Sequence, residues 1–337
     1  MKNKLLLTTA IAGTFAFAGA SFAETKVVGN LETTINATSS DTAINSGRTI
    51  DAETNIGLEG SKALDNGLTA KYGFMIENGN SDTEFLTVGT DVVNVAIGTD
   101  FGNNLSQTAV PHVGDQAGTV AGTAGTTAVP LTGSNIPVAN AHNASHVGIN
   151  IKAAGGTITA RYTPDLTNTR GAASTVAGDA GGSATEIMYS GSLGVEGLNV
   201  IIGQGDEQAA TNTGTEDGKH QKFSVAYNFG AFAVGAEKQK SETAAAAAAQ
   251  VERDANKVGI SFAASDSLTI GLNYQETEKK TGGAKVAGTA DEEITMLTLG
   301  YNMGGLGIQI QYADISDLGN AAGVDAEALQ IRTIQKF

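Results

Sequence analysis

The sequence predicts an all-β protein, a transmembrane antiparallel β-barrel of sixteen strands. Three observations lead to this prediction. Apolar residues alternate with polar or small residues at period two over many segments of roughly ten residues, the length of a membrane-crossing strand. The connections between these segments alternate between short and long. Glycine is abundant, with 44 glycines against 4 prolines in 337 residues, which is typical of a chain with many tight turns.

The composition excludes several classes of protein. The chain has no cysteine, which excludes a disulfide scaffold, a thiolate zinc site, an iron–sulfur cluster and a thiol nucleophile. Its 35 acidic residues outnumber its 20 basic residues, so the formal net charge is −15. Because nucleic-acid binding needs clustered cations that neutralise phosphates, we expect no nucleic-acid partner.

No motif in the sequence points to catalysis or to a cofactor. The sequence contains neither a Gly-x-Ser-x-Gly nucleophile elbow nor a metalloprotease motif. His142 and His146 are four residues apart, a spacing that binds metal when both lie on one helical face, but the surrounding segment has no helical pattern. We therefore predict no catalytic residue, no metal site and no cofactor.

The first 23 residues have the features of a secretory signal peptide. Two lysines in residues 1–4 precede the apolar stretch Leu5–Ala18, and Ser21-Phe22-Ala23 provides a small-x-small cleavage pattern. We expect cleavage after Ala23, which leaves residues 24–337 as a single exported β-domain. That domain has no apolar run of about 18 residues, so no transmembrane helix is predicted.

The alternation assigns the strands one by one. In one clear case Phe223, Val225 and Tyr227 alternate with polar or small residues, which predicts a strand with a single apolar face. A helix would need apolar residues three and four positions apart, and no segment shows that pattern convincingly. The predicted strands cover residues 25–37, 48–60, 67–77, 83–90, 92–99, 145–153, 156–164, 185–192, 198–206, 221–229, 231–240, 256–264, 267–277, 292–302, 305–313 and 325–337.

The connections between these strands favour a membrane barrel. Seven are minimal, such as Ala154-Gly155, and the other eight are mostly long and polar; the longest covers residues 100–144. Membrane barrels have an even number of strands, short turns at one end and longer loops at the other. Their closed sheet pairs every backbone group in hydrocarbon. A soluble β-solenoid or sandwich is the alternative, but its loops do not alternate in this way. Sixteen strands enclose an aqueous channel.

The segment Thr54–Glu77 resembles a known family. It runs from a strand ending in glycine, through an acidic turn, into a strand with alanine and aromatic residues. This layout is similar to the second and third strands of the general porins of Gram-negative outer membranes, and the hairpin of residues 85–98 resembles the one that follows. Leu58, Glu59 and Asp65 depart from the family pattern. The matching residues are Gly57, Gly60, Leu64, Asn66, Gly67, Leu68 and Ala70.

The sequence ends in an aromatic residue, Phe337, which is a second similarity to this family. Many outer-membrane barrels end in an aromatic residue that the barrel-assembly machinery reads. Leu329 and Ile331 continue the alternation towards the end, whereas Gln335 stands where an aromatic or apolar residue is usual. The resemblance implies that Phe337 is part of an assembly signal and that this machinery is a partner.

The resemblance also implies a homotrimer of barrels, each with its own pore and with a long loop after the fifth strand that folds inward and narrows the channel. Here that loop is residues 100–144, which hold three of the four prolines. A loop of this length is commonly functional or disordered. The alternative is that it extends outward as a flexible loop.

With the apolar side chains facing lipid, the alternate positions face the lumen. Family members often set acids on the inward loop against basic residues on the wall. Here Asp100 and Asp115 are the loop acids, and the basic wall consists of Lys71, Lys152 and Arg161. No dense arginine ladder is visible, so we expect a weak transverse field and a weak cation preference. The predicted lumenal residues are Glu32, Asn55, Glu59, Lys71, Glu77, Lys152, Arg161, Lys222, Asn228, Glu237 and Arg332.

The resemblance implies a porin in the outer membrane of a Gram-negative bacterium, a channel for passive diffusion of small hydrophilic solutes and ions. Outer-membrane lipid and lipopolysaccharide would surround it. The alternatives are a substrate-specific porin, a non-channel surface barrel such as an adhesin or structural protein, and an outer-membrane barrel enzyme. Large conductance steps in single-channel recordings would distinguish a porin from the last two.

Overall fold

The structure is a computed structural model. The predicted signal peptide, residues 1–23, lies outside the residues that it describes, as do Asp100 and Asp115. The described residues are 25–41, 47–78, 80–99, 101–112, 119–120, 129–130, 144–164, 182–208, 217–244, 250–285 and 289–337.

Sixteen strands form the barrel within the described residues. A two-residue pairing of residues 119–120 with 129–130 lies in the long connection after the fifth strand, and a 3₁₀ turn covers Leu318–Asn320. The strands are β1 (Lys26–Ser40), β2 (Gly47–Ala63), β3 (Thr69–Glu77), β4 (Asn80–Gly89), β5 (Val93–Thr99), β6 (His146–Ala153), β7 (Gly156–Thr163), β8 (Ser183–Gly191), β9 (Leu198–Gln208), β10 (Asp217–Phe229), β11 (Phe232–Ala244), β12 (Val251–Ala263), β13 (Leu268–Thr281), β14 (Glu292–Met303), β15 (Leu306–Ser316) and β16 (Ala326–Lys336).

The sheet is closed. Each strand pairs antiparallel with the next, and the last strand, β16, pairs with β1. The closing register runs from Asn30 opposite Lys336 to Ser40 opposite Ala326. Closure gives every strand two neighbours and leaves no open edge in hydrocarbon. The prediction of a sixteen-stranded antiparallel barrel is confirmed.

The predicted strand ends are least accurate at the long-loop end of the barrel. β12 begins at Val251 rather than at residue 256, and β13 continues to Thr281 rather than ending at residue 277. In these extensions charged residues such as Glu252 and Asp254 occupy the outward positions. The backbone ladder continues there, but the apolar alternation that marks a strand in the sequence has stopped.

Side chains alternate across the barrel wall as predicted. On β10, Phe223 and Tyr227 are 48% and 46% exposed, whereas Lys222 and Ser224 are 4% and 0% exposed. The apolar side chains cover the outside of the barrel, and the polar side chains point inward. This arrangement is typical of a transmembrane barrel, whose outer face contacts lipid and whose inner face contacts water.

A cluster of aromatic side chains marks the short-turn end of the outer face. Tyr227 and Phe229 on β10 stack at 6.4 Å between ring centroids. Phe229 stacks on Phe232 of β11 at 5.9 Å, and Phe232 stacks on Phe262 of β12 at 4.8 Å. Aromatic side chains are enriched where a membrane barrel meets the lipid–water interface. This row therefore indicates one boundary of the membrane.

Tight turns at this end use left-handed backbone conformations. In the turn between β6 and β7, Ala154 and Gly155 have φ angles of 49° and 72°. Positive φ at both central residues gives the type I′ twist that matches two antiparallel strands. In the described part of the chain, no helix is long and apolar enough to cross a membrane.

Candidate functional site on the inner wall

Residues 101–112, which follow β5, lie against the inner wall of the barrel. The first contacts involve Arg161 of β7, whose Nη2 atom donates hydrogen bonds to the backbone oxygens of Phe101 at 3.1 Å and Asn103 at 2.8 Å. Glu186 of β8 accepts a hydrogen bond from the backbone N–H of Leu105 at 3.3 Å. Arg161 and Glu186 also pair with each other, with Nη1 and Oε1 separated by 3.4 Å. The beginning of the segment is therefore attached to the wall by charged side chains.

The same segment continues across β10. The Nζ atom of Lys222 donates to the backbone oxygen of Gln107 at 2.6 Å, and the backbone N–H of Ala109 donates to Oγ of Ser224 at 2.9 Å. Lys222 also pairs with Glu237 of β11 at 3.5 Å. Within this irregular segment the N–H of Gln107 donates to the backbone oxygen of Asn104 at 3.2 Å, and polar wall side chains bond several of the other backbone groups and hold the segment in place.

Apolar contacts fix the position of the segment as well. Leu105 is 1% exposed and belongs to a buried cluster with Met188 of β8 and Ile201 of β9. The wall is thin at this point because Gly203 has no side chain: a Cβ added there would lie 2.7 Å from Cδ2 of Leu105. Further along, Pro111 lies against another glycine, Gly235, where an added Cβ would lie 2.8 Å from its Cδ atom.

The segment enters the barrel beside an aromatic stack. The ring of Phe101 lies 5.6 Å from that of Phe85 on β4 and 4.7 Å from that of His146 on β6, measured between centroids. His146 is 2% exposed, and its Nδ1 atom lies 2.9 Å from the backbone oxygen of Ala144. His146 is therefore part of the packing on the inner wall.

Charged side chains of both signs alternate along this wall. Glu237 on β11 is directly opposite Lys257 on β12, and both are buried. Together with the Arg161–Glu186 pair and with Lys222, they form a mixed cluster from β7 to β12. Buried charges are costly unless they are paired, and here Arg161 pairs with Glu186 and Lys222 pairs with Glu237.

The structure brings together two of the predicted basic wall residues. Lys71 and Arg161 line one cavity of about 310 Å³, beside Phe101 and two inward asparagines. Lys152 has the predicted inward register but is exposed near the short-turn end of β6. The three predicted basic residues therefore do not form one continuous wall.

The other predicted wall residues lie elsewhere. Glu59 pairs with Lys26 at 3.2 Å near the short-turn end. Arg332 forms an ion pair with Glu32, with one hydrogen bond from Nη2 to Oε2, which links β16 to β1 where the barrel closes. The loop acids Asp100 and Asp115 lie outside the described residues, as does His142.

Two charged residues of this wall, Glu186 and Lys257, were not among the predicted lumenal residues. Glu186 and Lys257 are 3% and 6% exposed and face inward. Each precedes an outward apolar residue, Ile187 or Val258, so the alternation already placed both side chains on the lumenal face. A complete reading of the register would have found them.

A second inward segment was not predicted. The connection of residues 317–325 covers an apolar part of the inner wall, where Leu318 packs in one buried cluster with Met296 and Ile315. Asn320 secures it with two hydrogen bonds from Nδ2, to the backbone oxygens of Thr277 at 2.7 Å and Ala290 at 3.0 Å. The sequence gives no signal for this inward course.

The C-terminus completes the barrel beside β1. The backbone N–H of Phe337 donates to the backbone oxygen of Gly29 at 3.1 Å. Its ring lies on Gly29, because a Cβ added to that glycine would be 2.7 Å from the ring Cζ atom. Among the described residues, no three histidine, aspartate or glutamate side chains are grouped closely enough to hold a metal ion.

Comparison with known proteins gives the same fold. A loop-deletion mutant of OmpT, an outer membrane protein of Vibrio cholerae, is 15% identical; the match covers 94% of this chain and 100% of that chain, with a TM-score of 0.67. A trimer form of in-vitro folded OmpT is 14% identical, with coverages of 94% and 100% and a TM-score of 0.65. A porin refined at 1.8 Å resolution is 15% identical, with coverages of 93% and 100% and a TM-score of 0.62.

Two comparisons used the sequence, and one of them identifies the family. None of the curated proteins matches this sequence. A family model described as Gram-negative porin matches residues 8–320, which is nearly the whole chain. With the closed sixteen-stranded barrel and its apolar outer face, this match shows that the chain belongs to the Gram-negative porin family and resides in the outer membrane.

Proposed function

We propose that the protein forms a water-filled channel through which small hydrophilic solutes and ions diffuse passively across the outer membrane. The observation that carries this proposal is that residues 101–112 lie against the inner wall of a sixteen-stranded barrel. Sixteen strands leave an aqueous lumen, and a segment attached to one side narrows it without filling it. Diffusion through such a channel requires no catalytic residue and no cofactor.

We assign the constriction to residues 100–144. Support comes from the contacts of residues 101–112, which extend from β7 through β10 to the glycine of β11. In this proposal Lys71 and Arg161 line the narrow part, together with the loop acids Asp100 and Asp115. Lys152, Glu59 and Arg332 face water elsewhere in the lumen.

We propose weak charge selectivity, with a slight preference for cations. The chain carries a formal net charge of −15, which raises the local concentration of cations. The basic side chains that touch the inward segment are neutralised by acids, since Arg161 pairs with Glu186 and Lys222 pairs with Glu237. Their fields are therefore short-ranged, which favours a weak preference.

We propose further that the protein is a homotrimer, is exported after removal of residues 1–23, and is recognised by the barrel-assembly machinery through Phe337. The trimer is supported by OmpT of Vibrio cholerae, which was solved in a trimer form. The role of Phe337 is supported by its position at the closing seam, hydrogen-bonded to β1.

Planar-bilayer recording tests this function. The mature chain, residues 24–337, is purified in detergent and added to a bilayer in potassium chloride. We expect stepwise openings of uniform size, with three closing steps at high voltage if three pores insert together. In a salt gradient, the reversal potential should show a small cation preference.

The same recordings identify the alternatives. A protein that inserts and gives no conductance steps would contradict the channel and favour a surface barrel or a barrel enzyme. A reversal potential of the opposite sign would contradict the charge preference alone. Liposome swelling adds the last distinction: uptake of one solute class only, at equal molecular size, would make this a substrate-specific porin.

A further inference from the structure

The cavity of about 310 Å³ on the inner wall forms a recess between β3 and β7, beside the first residues of the inward segment. Its central row crosses five neighbouring strands, and each residue of the row lies directly opposite the next. The two ends of the row are cationic, and the side chains between them are small. The row therefore leaves room for a small molecule between two cations. It consists of Lys71, Thr87, Ala96, Gly148 and Arg161.

A second row of polar side chains lies closer to the short-turn end of the recess. The Nδ2 atom of Asn150 donates to Oδ1 of Asn94 at 3.0 Å, and Oγ1 of Thr159 donates to Oδ1 of Asn150 at 2.8 Å. Both amide oxygens therefore already accept a hydrogen bond. The Nδ2 group of Asn94 donates to no described residue. This row offers N–H donors to the recess, so a ligand that matches it has to supply acceptors.

Two aromatic rings form the apolar side of the recess. Phe85 of β4 and Phe101 of the inward segment stack with their centroids 5.6 Å apart and an angle of 25° between the ring planes. The next residue, Gly102, also lines the recess and adds no side chain to it. A flat surface of this kind favours a planar apolar group, which can pack on the rings in an offset arrangement.

Lys71 is the cation of the recess that no described acid neutralises. Arg161 pairs with Glu186, and its Nη2 atom donates to the backbone oxygens of Phe101 and Asn103. Lys71 is exposed in the lumen, and no carboxylate of the described residues pairs with it. Among the described residues, no aspartate or glutamate lines the cavity. The recess therefore presents one uncompensated positive charge.

We propose that this recess binds small aromatic monocarboxylates, of which benzoate is the simplest. The carboxylate contacts the ammonium group of Lys71 and accepts from the amide of Asn94, and the ring packs against Phe85 and Phe101. One negative charge matches one uncompensated cation, and the planar body matches the aromatic side.

This inference rests on the proposed channel function, because it assigns a solute class to the wall beside the inward segment. The net negative charge of the chain attracts cations over a distance, whereas Lys71 acts on a solute in contact with it. A site inside a channel also has to release its solute, so we expect dissociation constants in the millimolar range.

Saturation-transfer NMR on the full mature chain in detergent measures benzoate binding without requiring conduction. Lys71→Gln should lower the affinity about tenfold, because it removes a hydrogen bond between two charged groups. Lys71→Arg keeps the charge and should bind benzoate like the parent. Benzamide, the neutral analogue, should bind the parent and Lys71→Gln equally. Lys152→Gln removes an exposed inward lysine that does not line the cavity and should leave benzoate binding unchanged.

A second variant tests the shape of the recess. Thr87→Phe places a ring in the middle of the central row without changing a charge, and it should weaken benzoate binding. Acetate should bind the parent more weakly than benzoate, because it has no ring to pack on Phe85 and Phe101. Acetate binding as tight as benzoate binding would overturn the assignment to aromatic solutes.

Two further outcomes would overturn the proposal: no benzoate binding to the parent, and an unchanged benzoate affinity in Lys71→Gln. Because Lys71 is exposed, Lys71→Gln should fold like the parent, which its migration on a gel before and after heating checks. Bilayer recordings separate this proposal from the channel. A conducting parent that does not bind benzoate contradicts the site alone, whereas a parent that binds benzoate and gives no conductance steps contradicts the channel alone.

Discussion

Two regions of the inner wall hold a chain segment by different means. From β7 to β11, residues 101–112 are attached through charged side chains, with Arg161 and Lys222 donating to backbone oxygens. From β13 to β16, residues 317–325 are attached by apolar packing of Leu318 in a buried cluster, and also by hydrogen bonds from Asn320 and from the Gly319 N–H to Glu292. Both segments follow a strand and turn inward, yet the wall beneath them is chemically different.

The difference follows from what each segment has to satisfy. The longer segment is irregular, and polar side chains of the wall bond several of its backbone groups. The shorter segment forms a 3₁₀ turn at Leu318–Asn320, bonds part of its own backbone and presents apolar side chains to the wall. The first attachment specifies position through directed bonds, and the second depends on buried apolar area. Substitutions in the two regions should therefore differ in how much they lower the free energy of unfolding and in how they change conductance.

The largest loss of stability is expected when the ion pair between Arg161 and Glu186 is broken. Arg161→Met leaves Glu186 buried without its counter-charge and removes two hydrogen bonds to the segment. Breaking a buried pair from one side costs about 4 kcal/mol. We expect this loss in guanidinium chloride unfolding of the reconstituted protein, together with frequent conductance fluctuations as residues 101–112 leave the wall.

The double variant separates the charge effect from packing. Arg161→Met/Glu186→Leu removes both charges and should recover part of the lost stability, because no uncompensated charge remains. The outcome against this prediction is a double variant that is less stable than Arg161→Met by the full cost of Glu186→Leu alone. The two side chains would then not be coupled, and their ion pair would not stabilise the attachment of residues 101–112.

The next effect is expected in the apolar region. Leu318 is 5% exposed, and Leu318→Ala should lower the free energy of unfolding by about 3 kcal/mol through lost burial and a cavity. The conductance fluctuations that this substitution causes should be the same with and without the Arg161 substitution. Leu272→Ala on the lipid-facing side of β13, where Leu272 is 48% exposed, is the matched control and should cost less. Equal losses would contradict an apolar attachment at residue 318.

The alternation predicted the barrel and the face of each side chain, but not the height of a side chain or the course of a loop. The side chains of Arg161, Lys222 and Glu237 lie on the inner wall. Lys152 has the same inward register and lies near the turns; the alternation alone carries no information about height, but the predicted turn Ala154-Gly155 shortly after Lys152 does. The contact between Lys222 and Gln107 joins residues 115 positions apart and depends on the direction in which the loop crosses the wall.

A smaller loss of stability is expected at Gly203, the glycine of the inner wall against which Leu105 packs. An added Cβ at Gly203 would lie 2.6 Å from the backbone oxygen of Ile187 and 2.7 Å from both Leu105 and Met188, so Gly203→Ala should displace the segment and the neighbouring strand β8 and cost about 2 kcal/mol. Gly307→Ala on β15 is the control, since an added Cβ there meets a single atom at 3.7 Å. Thermal unfolding of both variants measures the difference, and equal midpoints would show that the segment does not rely on this gap.

The smallest effect tests one neutral hydrogen bond of the charged region. Ser224→Ala removes the acceptor for the backbone N–H of Ala109 and should cost about 1 kcal/mol, less than any charged contact nearby. Hydrogen exchange of the Ala109 amide gives a local readout, and its protection should fall while that of the β10 backbone stays unchanged. Ser261→Ala on β12 removes another half-buried hydroxyl and should leave Ala109 unaffected. Unchanged protection of Ala109 in Ser224→Ala would show that charged side chains alone position residues 101–112, and the comparison between the two regions would then depend on ion pairs only.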